Sequence, residues 1–276
     1  MRLKQSLVRW QSVAGLGLVG LLAGCPPVVP PPDGGGGGDG GGTTPPQAFL
    51  DASVTRGGSL YDKYWSVTGA AAPTGDHPRW ASRPDQTSNT RTGADTWRCK
   101  ECHGWDYKGK DGAYSSGSHR TGIGGIFGTA LTAQEAFDSI KTAHSYGQAG
   151  LTDADLWDLA KFVLEGQIDT DTIIDGDGAF IGDDNAGKTL YDSGLGTTLA
   201  CAACHGADGL AVPAGADADF GDFIGLIAND NSWEFQHKAR FGQPGVSGMP
   251  GLIAGGGTTQ DAGDLGAFAQ TLPEAP

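Results

Sequence analysis

Four of the five cysteines in this 276-residue sequence stand in two copies of the pattern Cys-x-x-Cys-His. The first copy consists of Cys99, Cys102 and His103, and the second of Cys201, Cys204 and His205. A spacing of three and four residues places two thiols and an imidazole on the same side of one helical turn. Such a cluster can bind a metal ion, exchange disulfides, or bond both vinyl groups of a haem and leave the histidine beneath the iron.

The rest of the chain helps to discriminate between these chemistries. A zinc site would need two further thiol or imidazole ligands in a closed tetrahedron. A thioredoxin-like redox pair would need alternating strands and helices, and this pattern is missing from the sequence. Cys-x-x-Cys-His is the signature of c-type haem attachment. Because the motif occurs twice and Cys25 is the one other cysteine, the sequence predicts two covalently bound c-type haems.

The N-terminus has the pattern of a secretion signal. Three basic residues in the first nine precede an apolar stretch that is shorter than the roughly 20 residues of a bilayer span. The sequence LAGC, which ends at Cys25, resembles a bacterial lipobox, in which the cysteine is lipidated and becomes the first mature residue. We therefore expect residues 1–24 to be a lipoprotein signal peptide and Cys25 to carry an envelope lipid anchor.

Residues 25–49 are rich in proline and glycine and contain almost no side chains that could form a core. Segments of this composition are extended or disordered. We predict that this segment is a lipid-anchored tether, whose length lets the folded part of the protein extend away from the membrane.

Beyond the tether the sequence repeats itself. The segment GGSLYDKYW parallels AGKTLYDSG, and each segment precedes a Cys-x-x-Cys-His motif. Towards the end of each unit, LTDADLWDLAKFV parallels TTQDAGDLGAFAQ, with Asp158 matching Asp264 and Phe162 matching Phe268. The repetition predicts two homologous domains.

We place the first repeat at residues 50–168, the second repeat at residues 178–276, and an acidic linker at residues 169–177 between them. Each repeat has the pattern of an opening helix, a Cys-x-x-Cys-His turn, a glycine-rich loop, a middle helix and an amphipathic closing helix. No convincing run of alternating apolar residues appears. The predicted fold class is therefore all-α.

The first repeat carries an insertion at about residues 62–97 that the second repeat lacks. It includes His77, Trp80 and Trp97. These residues could cover one face of a cofactor or belong to a surface excursion, and we favour the excursion.

Two other segments also have two interpretations. DTDTIIDGDG, which spans the acidic linker, resembles half of a calcium loop, but the next glutamate is the distant Glu234, so a linker is favoured. Trp233, His237 and Arg240 lie on the predicted middle helix of the second repeat. We expect them to pack or to contact haem propionates rather than to bind iron.

On these residues the chain resembles a tandem class I cytochrome c, a di-haem c-type cytochrome of bacterial envelopes. The resemblance covers about residues 50–276 and rests on both motifs and on SGMPG around Met249. It implies two helical domains, each wrapped around one haem that is attached to its cysteine pair by thioethers. It also implies that His103 and His205 are proximal iron ligands and that Met249 is a distal ligand. Pro213 stands where the family often has a proline whose carbonyl orients the proximal imidazole.

The first repeat contains no methionine, so its distal ligand must differ or be missing. The closing helices align at an offset of 106 residues, which carries Met249 to position 143, next to His144. His144 follows His103 by 41 residues, close to the 44 that separate the second motif histidine from its methionine. We predict His144 as the distal ligand, with His119, His77 and an open site as alternatives.

The resemblance implies an electron carrier without catalytic residues. Axial ligation can spread haem potentials over about 0.8 V, so two differently ligated haems need not be redundant. The alternatives are an oxidoreductase with an open first haem, which reduces peroxide or oxidises a small sulfur or nitrogen compound, and a gas-binding sensor. The net charge of −14 argues against nucleic acid. It favours periplasmic or extracellular redox partners with basic surfaces.

Overall fold

The computed structural model describes residues 44–211, 223–246 and 249–276. Its α-helices are α1 (Gln47–Leu50), α2 (Val54–Thr68), α3 (Cys99–His103), α4 (Ala133–Asp138), α5 (Asp153–Lys161), α6 (Asp184–Ser193), α7 (Ala202–His205), α8 (Ile224–Asp230), α9 (Ser232–Phe241) and α10 (Thr259–Ala269). Two π-helical turns, Ser139–Ala143 and Phe162–Gly166, continue α4 and α5. These ranges contain no β-strand, which confirms the all-α prediction.

Some predictions fall on other parts of the chain. The signal peptide, Cys25, most of the tether and Pro213 lie outside the described residues. Among the helices that are described, none is long and apolar enough to cross a membrane.

The closing helices α5 and α10 begin with the same N-terminal cap. The Thr152 hydroxyl accepts from the Asp155 N–H, and the Asp155 carboxylate accepts from the Thr152 N–H at 2.7 Å. Thr258 and Asp261 make the same pair of hydrogen bonds, also with a 2.7 Å contact to the carboxylate. Because this reciprocal arrangement satisfies two N–H groups at the helix start, it determines where each helix begins. The two caps are 106 residues apart, as the sequence alignment predicts.

In both repeats the opening helix crosses the closing helix at a glycine. A Cβ atom on Gly57 in α2 would lie 2.1 Å from the Asp158 carbonyl oxygen, and one on Gly187 in α6 would lie 1.9 Å from that of Asp264. Either contact is a steric clash, so only glycine permits these crossings. The matched pairs in the sequence are therefore matched contacts in the fold.

A tyrosine in each opening helix binds the backbone just after the motif. The Tyr61 hydroxyl donates to the Gly104 carbonyl at 2.7 Å, and the Tyr191 hydroxyl donates to the Gly206 carbonyl at 2.6 Å. Gly104 and Gly206 directly follow the motif histidines. These hydrogen bonds fix each Cys-x-x-Cys-His turn against the helix crossing.

Residues Thr44–Pro276 form one compact unit with two hydrophobic clusters. The first cluster comes from the first repeat together with Phe241 of α9, and the second cluster comes from the linker and the second repeat. The division of this unit into two domains stays a prediction.

Helix α9 packs between the repeats. His237 is fully buried, donates from Nε2 to the Gly58 carbonyl at 2.9 Å and accepts at Nδ1 from the Tyr107 hydroxyl at 2.8 Å. Arg240 donates to the Gly166 carbonyl at 2.8 Å. Of the two roles considered for these side chains, packing is the one that the contacts support.

The insertion packs against the first motif through several buried side chains, while most of its other residues are exposed, so its interpretation as a surface excursion stays a prediction. His77, Trp80 and Asn89 are only 5%, 3% and 0% exposed. The Asn89 amide donates to the carboxylate of Glu101, a buried residue inside the motif, at 2.9 Å. Burial and this contact make the insertion part of the first repeat's structure.

The acidic linker makes ion pairs with protein side chains. Lys108 Nζ lies 2.7 Å from Asp169 and 2.8 Å from Asp171. The Asp175 carboxylate accepts from two N–H groups of its own turn. These contacts are those of a linker bound to the first repeat, and they occupy carboxylates that a calcium loop would use.

Candidate functional site

Both Cys-x-x-Cys-His motifs form a short helical turn that ends in a glycine. Helix α3 contains the first motif, and α7 contains the second from the residue after Cys201. Gly104 and Gly206 have the same positive φ of 76°, a conformation that glycine adopts without strain. The chain therefore leaves each motif histidine in the same direction. None of the four motif cysteines forms a disulfide.

The first motif opens onto a cavity of about 80 Å³. Cys99, His103, His144 and Tyr146 line it together with mainly apolar side chains. The ring centroids of His103 and His144 are 6.2 Å apart. Two metal–imidazole bonds of about 2.0–2.1 Å, with about 1.1 Å from each nitrogen to its ring centroid, would separate two axial imidazoles by about 6.3 Å. The distance between the two histidine rings is therefore compatible with two ligands of one metal ion, and the cavity that both rings line is what distinguishes this pair from other neighbouring rings.

Hydrogen bonds orient both rings. Nδ1 of His103 lies 2.8 Å from the Gly124 carbonyl oxygen, and Nδ1 of His144 lies 3.0 Å from that of Ser139. Since a carbonyl can only accept, we assign the proton of each neutral ring to Nδ1, which leaves Nε2 as the metal-binding nitrogen. Burial lowers the pKa of His103 to about 4 and also lowers that of His144. Both imidazoles are therefore neutral at pH 7, as a metal ligand must be.

The other two histidine candidates do not line this cavity. Both ring nitrogens of His77 are engaged, with the His144 carbonyl at 2.9 Å and the Arg79 N–H at 3.1 Å. Nδ1 of His119 lies 3.2 Å from Glu101. Of the three candidates, His144 is the one that lines the cavity at the first motif.

The second motif opens onto a larger cavity of about 230 Å³. Cys201, Cys204, His205 and Met249 all line it. Most other lining side chains are apolar and include Leu190, Ile224, Ile227, Phe235, Leu252 and Leu265. The His205 ring is hydrogen-bonded to the Ala211 backbone, and burial lowers its pKa. The structure therefore brings together all four residues that the sequence predicts for the second site.

The thiols are poorly suited to the two alternative chemistries. Burial raises the pKa of Cys99 to about 11 and that of Cys102 to about 12, and it also raises the pKa of Cys201. These thiols are protonated at neutral pH, whereas a reactive redox pair needs a lowered thiol pKa. In the parts of the chain described here, no three His, Cys, Asp or Glu side chains converge on a metal-ion site. A closed zinc site, which needs four protein ligands, has no ligand set there.

A haem fits the donors at both sites: a thiol pair and an imidazole from the motif, an apolar wall, and a second ligand in the same cavity. Both cavities, at about 230 Å³ and 80 Å³, are smaller than the roughly 300–1,000 Å³ of most ligand sites, and the first is the smaller. Leu131 lines it and is 42% exposed. Side chains at this edge must therefore move outward for a haem to enter.

Sequence reasoning missed several residues that shape the first site. The Tyr146 hydroxyl donates to the Trp97 carbonyl at 2.6 Å and lies 3.4 Å from Cys99 Sγ. The carbonyls of Gly124 and Ser139 orient the two imidazoles. The sequence could have indicated Tyr61, because its segment is repeated around Tyr191. It could not have indicated the backbone carbonyls, because every residue has one.

No family model matches this chain, and no curated protein or solved structure matches it. The functional argument therefore rests on the residues and geometry described above.

Proposed function

We propose that this chain is a di-haem c-type cytochrome that carries single electrons in a bacterial envelope electron-transfer chain. The observation that carries the proposal is that each motif histidine shares a cavity with a second potential iron ligand. His103 faces the cavity with His144, and His205 does so with Met249. With these two residues as its ligands, a haem iron would have no position left for a substrate, which suits electron transfer.

The chain's own residues would hold and orient the cofactors. Cys99 and Cys102 would attach the first haem, and Cys201 and Cys204 the second, where each supplies one-electron redox chemistry. The Gly124 carbonyl keeps the proton of His103 on Nδ1, which directs Nε2 into the cavity. The mainly apolar walls would limit the contact of a bound haem with water.

The two ligand sets predict different potentials. Methionine ligation raises a haem potential relative to a second imidazole. The first site, with His103 and His144, should therefore have the lower potential, and the second, with His205 and Met249, the higher one. Electrons that enter at the first site should rest at the second.

Contacts between the repeats support electron exchange within one molecule. His237 joins Gly58 and Tyr107 of the first repeat, and the neighbouring Lys238 lines the second cavity. Tyr61, whose ring centroid lies 5.6 Å from that of His237, lines the first cavity. The contact of His237 with Tyr61 and the peptide link from His237 to Lys238 thus connect one wall residue of each cavity.

The charge and the N-terminus support the proposed location and partners. A chain with a net charge of −14 attracts basic surfaces, so association with partners should weaken as salt increases. Lipidation at Cys25 would hold the protein at a membrane, and the tether would let the haem domains reach soluble partners.

Covalent attachment tests the proposal directly. Acid–acetone should fail to extract haem from the wild-type protein, because thioether bonds survive this treatment. Mass spectrometry of the denatured chain should show two haems in the wild type. It should show one haem in Cys99→Ser/Cys102→Ser and one in Cys201→Ser/Cys204→Ser, and the two double variants serve as controls for each other. Extraction of haem from the wild type would contradict the assignment.

Substitution Cys25→Ser tests the anchor. Without the lipid, the protein should move from the membrane fraction to the soluble fraction, because the lipid chains supply the membrane affinity. Its haem spectra should match those of the wild type. Fractionation followed by haem staining measures both properties, with His144→Ala as a control that keeps the anchor. Retention of Cys25→Ser in the membrane would place the anchor elsewhere.

A further inference from the structure

The buried His77 of the insertion contacts the backbone of the proposed distal ligand. Its Nδ1 lies 3.1 Å from the Arg79 backbone N–H, and its Nε2 lies 2.9 Å from the His144 carbonyl oxygen. Because the N–H can only donate and the carbonyl can only accept, Nδ1 is the acceptor and Nε2 carries the proton. Both ring nitrogens are used, so His77 acts on His144 through its backbone.

The backbone around His144 needs such support. The preceding residues Ser139–Ala143 form a π-helical turn, and the following Ser145 has a φ of 62°. A residue other than glycine in this left-handed region is strained and persists only where surrounding contacts hold it. Carbonyls at a helix end also lack partners within the helix. The chain therefore leaves the His144 segment without enough hydrogen bonds of its own.

The insertion supplies the missing donors. Arg79 Nε donates to the Ala143 carbonyl at 2.6 Å, next to the bond from His77 to the His144 carbonyl. The Ser139 carbonyl separately accepts from the His144 N–H at 2.9 Å and from its ring Nδ1 at 3.0 Å. The π-helical turn thus orients the ring of His144, while the insertion holds its backbone.

The ring of His77 also connects the two sides of the cavity. Its centroid lies 4.6 Å from the Trp97 ring and 5.7 Å from the Tyr146 ring. Trp97 precedes Cys99 by two residues, and Tyr146 follows His144 by two. His77 therefore lies between the segment that leads into the motif and the segment that carries the distal ligand.

We propose that His77, assisted by Arg79, is a positioning residue that keeps Nε2 of His144 within reach of the first haem iron. This inference rests on the proposed function. The brace keeps the distal position closed, so the first haem transfers electrons and does not bind small ligands. The second repeat has no counterpart of the insertion, and the distal ligand proposed there is Met249 rather than an imidazole.

The test compares two substitutions of His77 in the full-length protein with both haems attached. His77→Phe keeps an aromatic ring against Trp97 and Tyr146 but removes both hydrogen bonds. His77→Gln loses the ring but keeps an amide donor and a carbonyl acceptor. His77→Phe should show a high-spin signal at the first haem and a rate of carbon monoxide binding about fivefold to tenfold higher, as expected for loss of the one hydrogen bond that reaches the His144 carbonyl. His77→Gln should remain low-spin.

The second haem gives an internal reference, since its sulfur-ligation band should be the same in all variants. The inference fails if His77→Phe stays low-spin and inert to carbon monoxide. It also fails if His77→Gln opens the site as much as His77→Phe, because the hydrogen bonds would then not be the cause. If His77→Phe does not fold, the test uses Arg79→Met, which changes an exposed side chain. A high-spin fraction at the first haem of Arg79→Met would support the inference, and an unchanged spectrum would contradict it.

Failure of this inference can be distinguished from failure of the proposed function. If His144→Ala becomes high-spin while His77→Phe and Arg79→Met do not, His144 remains the ligand and only the brace is wrong. If His144→Ala leaves the first haem unchanged, the ligand assignment itself is wrong, and the brace fails with it.

Discussion

Substitution His144→Ala should convert the first haem from low-spin to high-spin and make it reactive toward carbon monoxide and peroxide. Alanine removes the imidazole whose ring centroid lies 6.2 Å from that of His103 in the same cavity. The iron would then keep one strong axial ligand, and small molecules could occupy the other position. Magnetic circular dichroism reports the spin state, and flash photolysis measures carbon monoxide binding.

Two controls make this result specific. His119→Ala removes a half-buried histidine that contacts Glu101 and does not line the cavity, so its spectrum should equal that of the wild type. The second haem should retain its spectrum in both variants. If the wild type already binds carbon monoxide at the first haem and His144→Ala changes nothing, the first site is open. The oxidoreductase or gas-sensor alternative would then replace the electron carrier.

Substitution Met249→His should abolish the weak charge-transfer band at the red end of the spectrum that marks sulfur ligation. It should also lower the potential of the second haem, because an imidazole stabilises the oxidised iron more than a thioether does. The second site would then have the ligand set proposed for the first, and the gap between the two potentials should narrow. A spectroelectrochemical titration follows the band and both potentials in one experiment.

The matched control is Met249→Leu, which keeps an apolar side chain of similar volume but removes the sulfur. This variant should lose the same band and become high-spin, whereas Met249→His should remain low-spin. The first haem should be unaffected in both variants, since Met249 lines only the second cavity of the two. Persistence of the band in either variant would remove Met249 from the site.

The sequence by itself was sufficient for features that depend on local spacing. Cys99, Cys102 and His103 are neighbours on one helical turn, so their types and order already predict the proposed attachment chemistry. The duplication was also readable, because the same contacts recur at a fixed offset. Gly57 packs on Asp158 as Gly187 packs on Asp264, and the constraint on both glycines is steric. The helix pattern of each repeat and the absence of alternating apolar runs were enough for the all-α class.

The spacing from His103 already favoured His144 in the sequence, but only the tertiary structure decided that His144 lines the first cavity while His77 and His119 do not. The structure also decided where the insertion lies, because separation along the chain gives no direction in space. His144 reaches the cavity through a π-helical turn, an irregularity that average periodicity does not predict.

The acceptors that orient the two imidazoles, the carbonyls of Gly124 and Ser139, belong to the backbone. Every residue carries such a carbonyl, so residue type contains no signal for which ones will be used. The hydrogen bond from His77 to the His144 carbonyl joins residues 67 positions apart in the sequence. It depends on how the insertion folds back over α3. Contacts of this kind are made by chain topology rather than by local sequence, and for that reason they appear only in the folded protein.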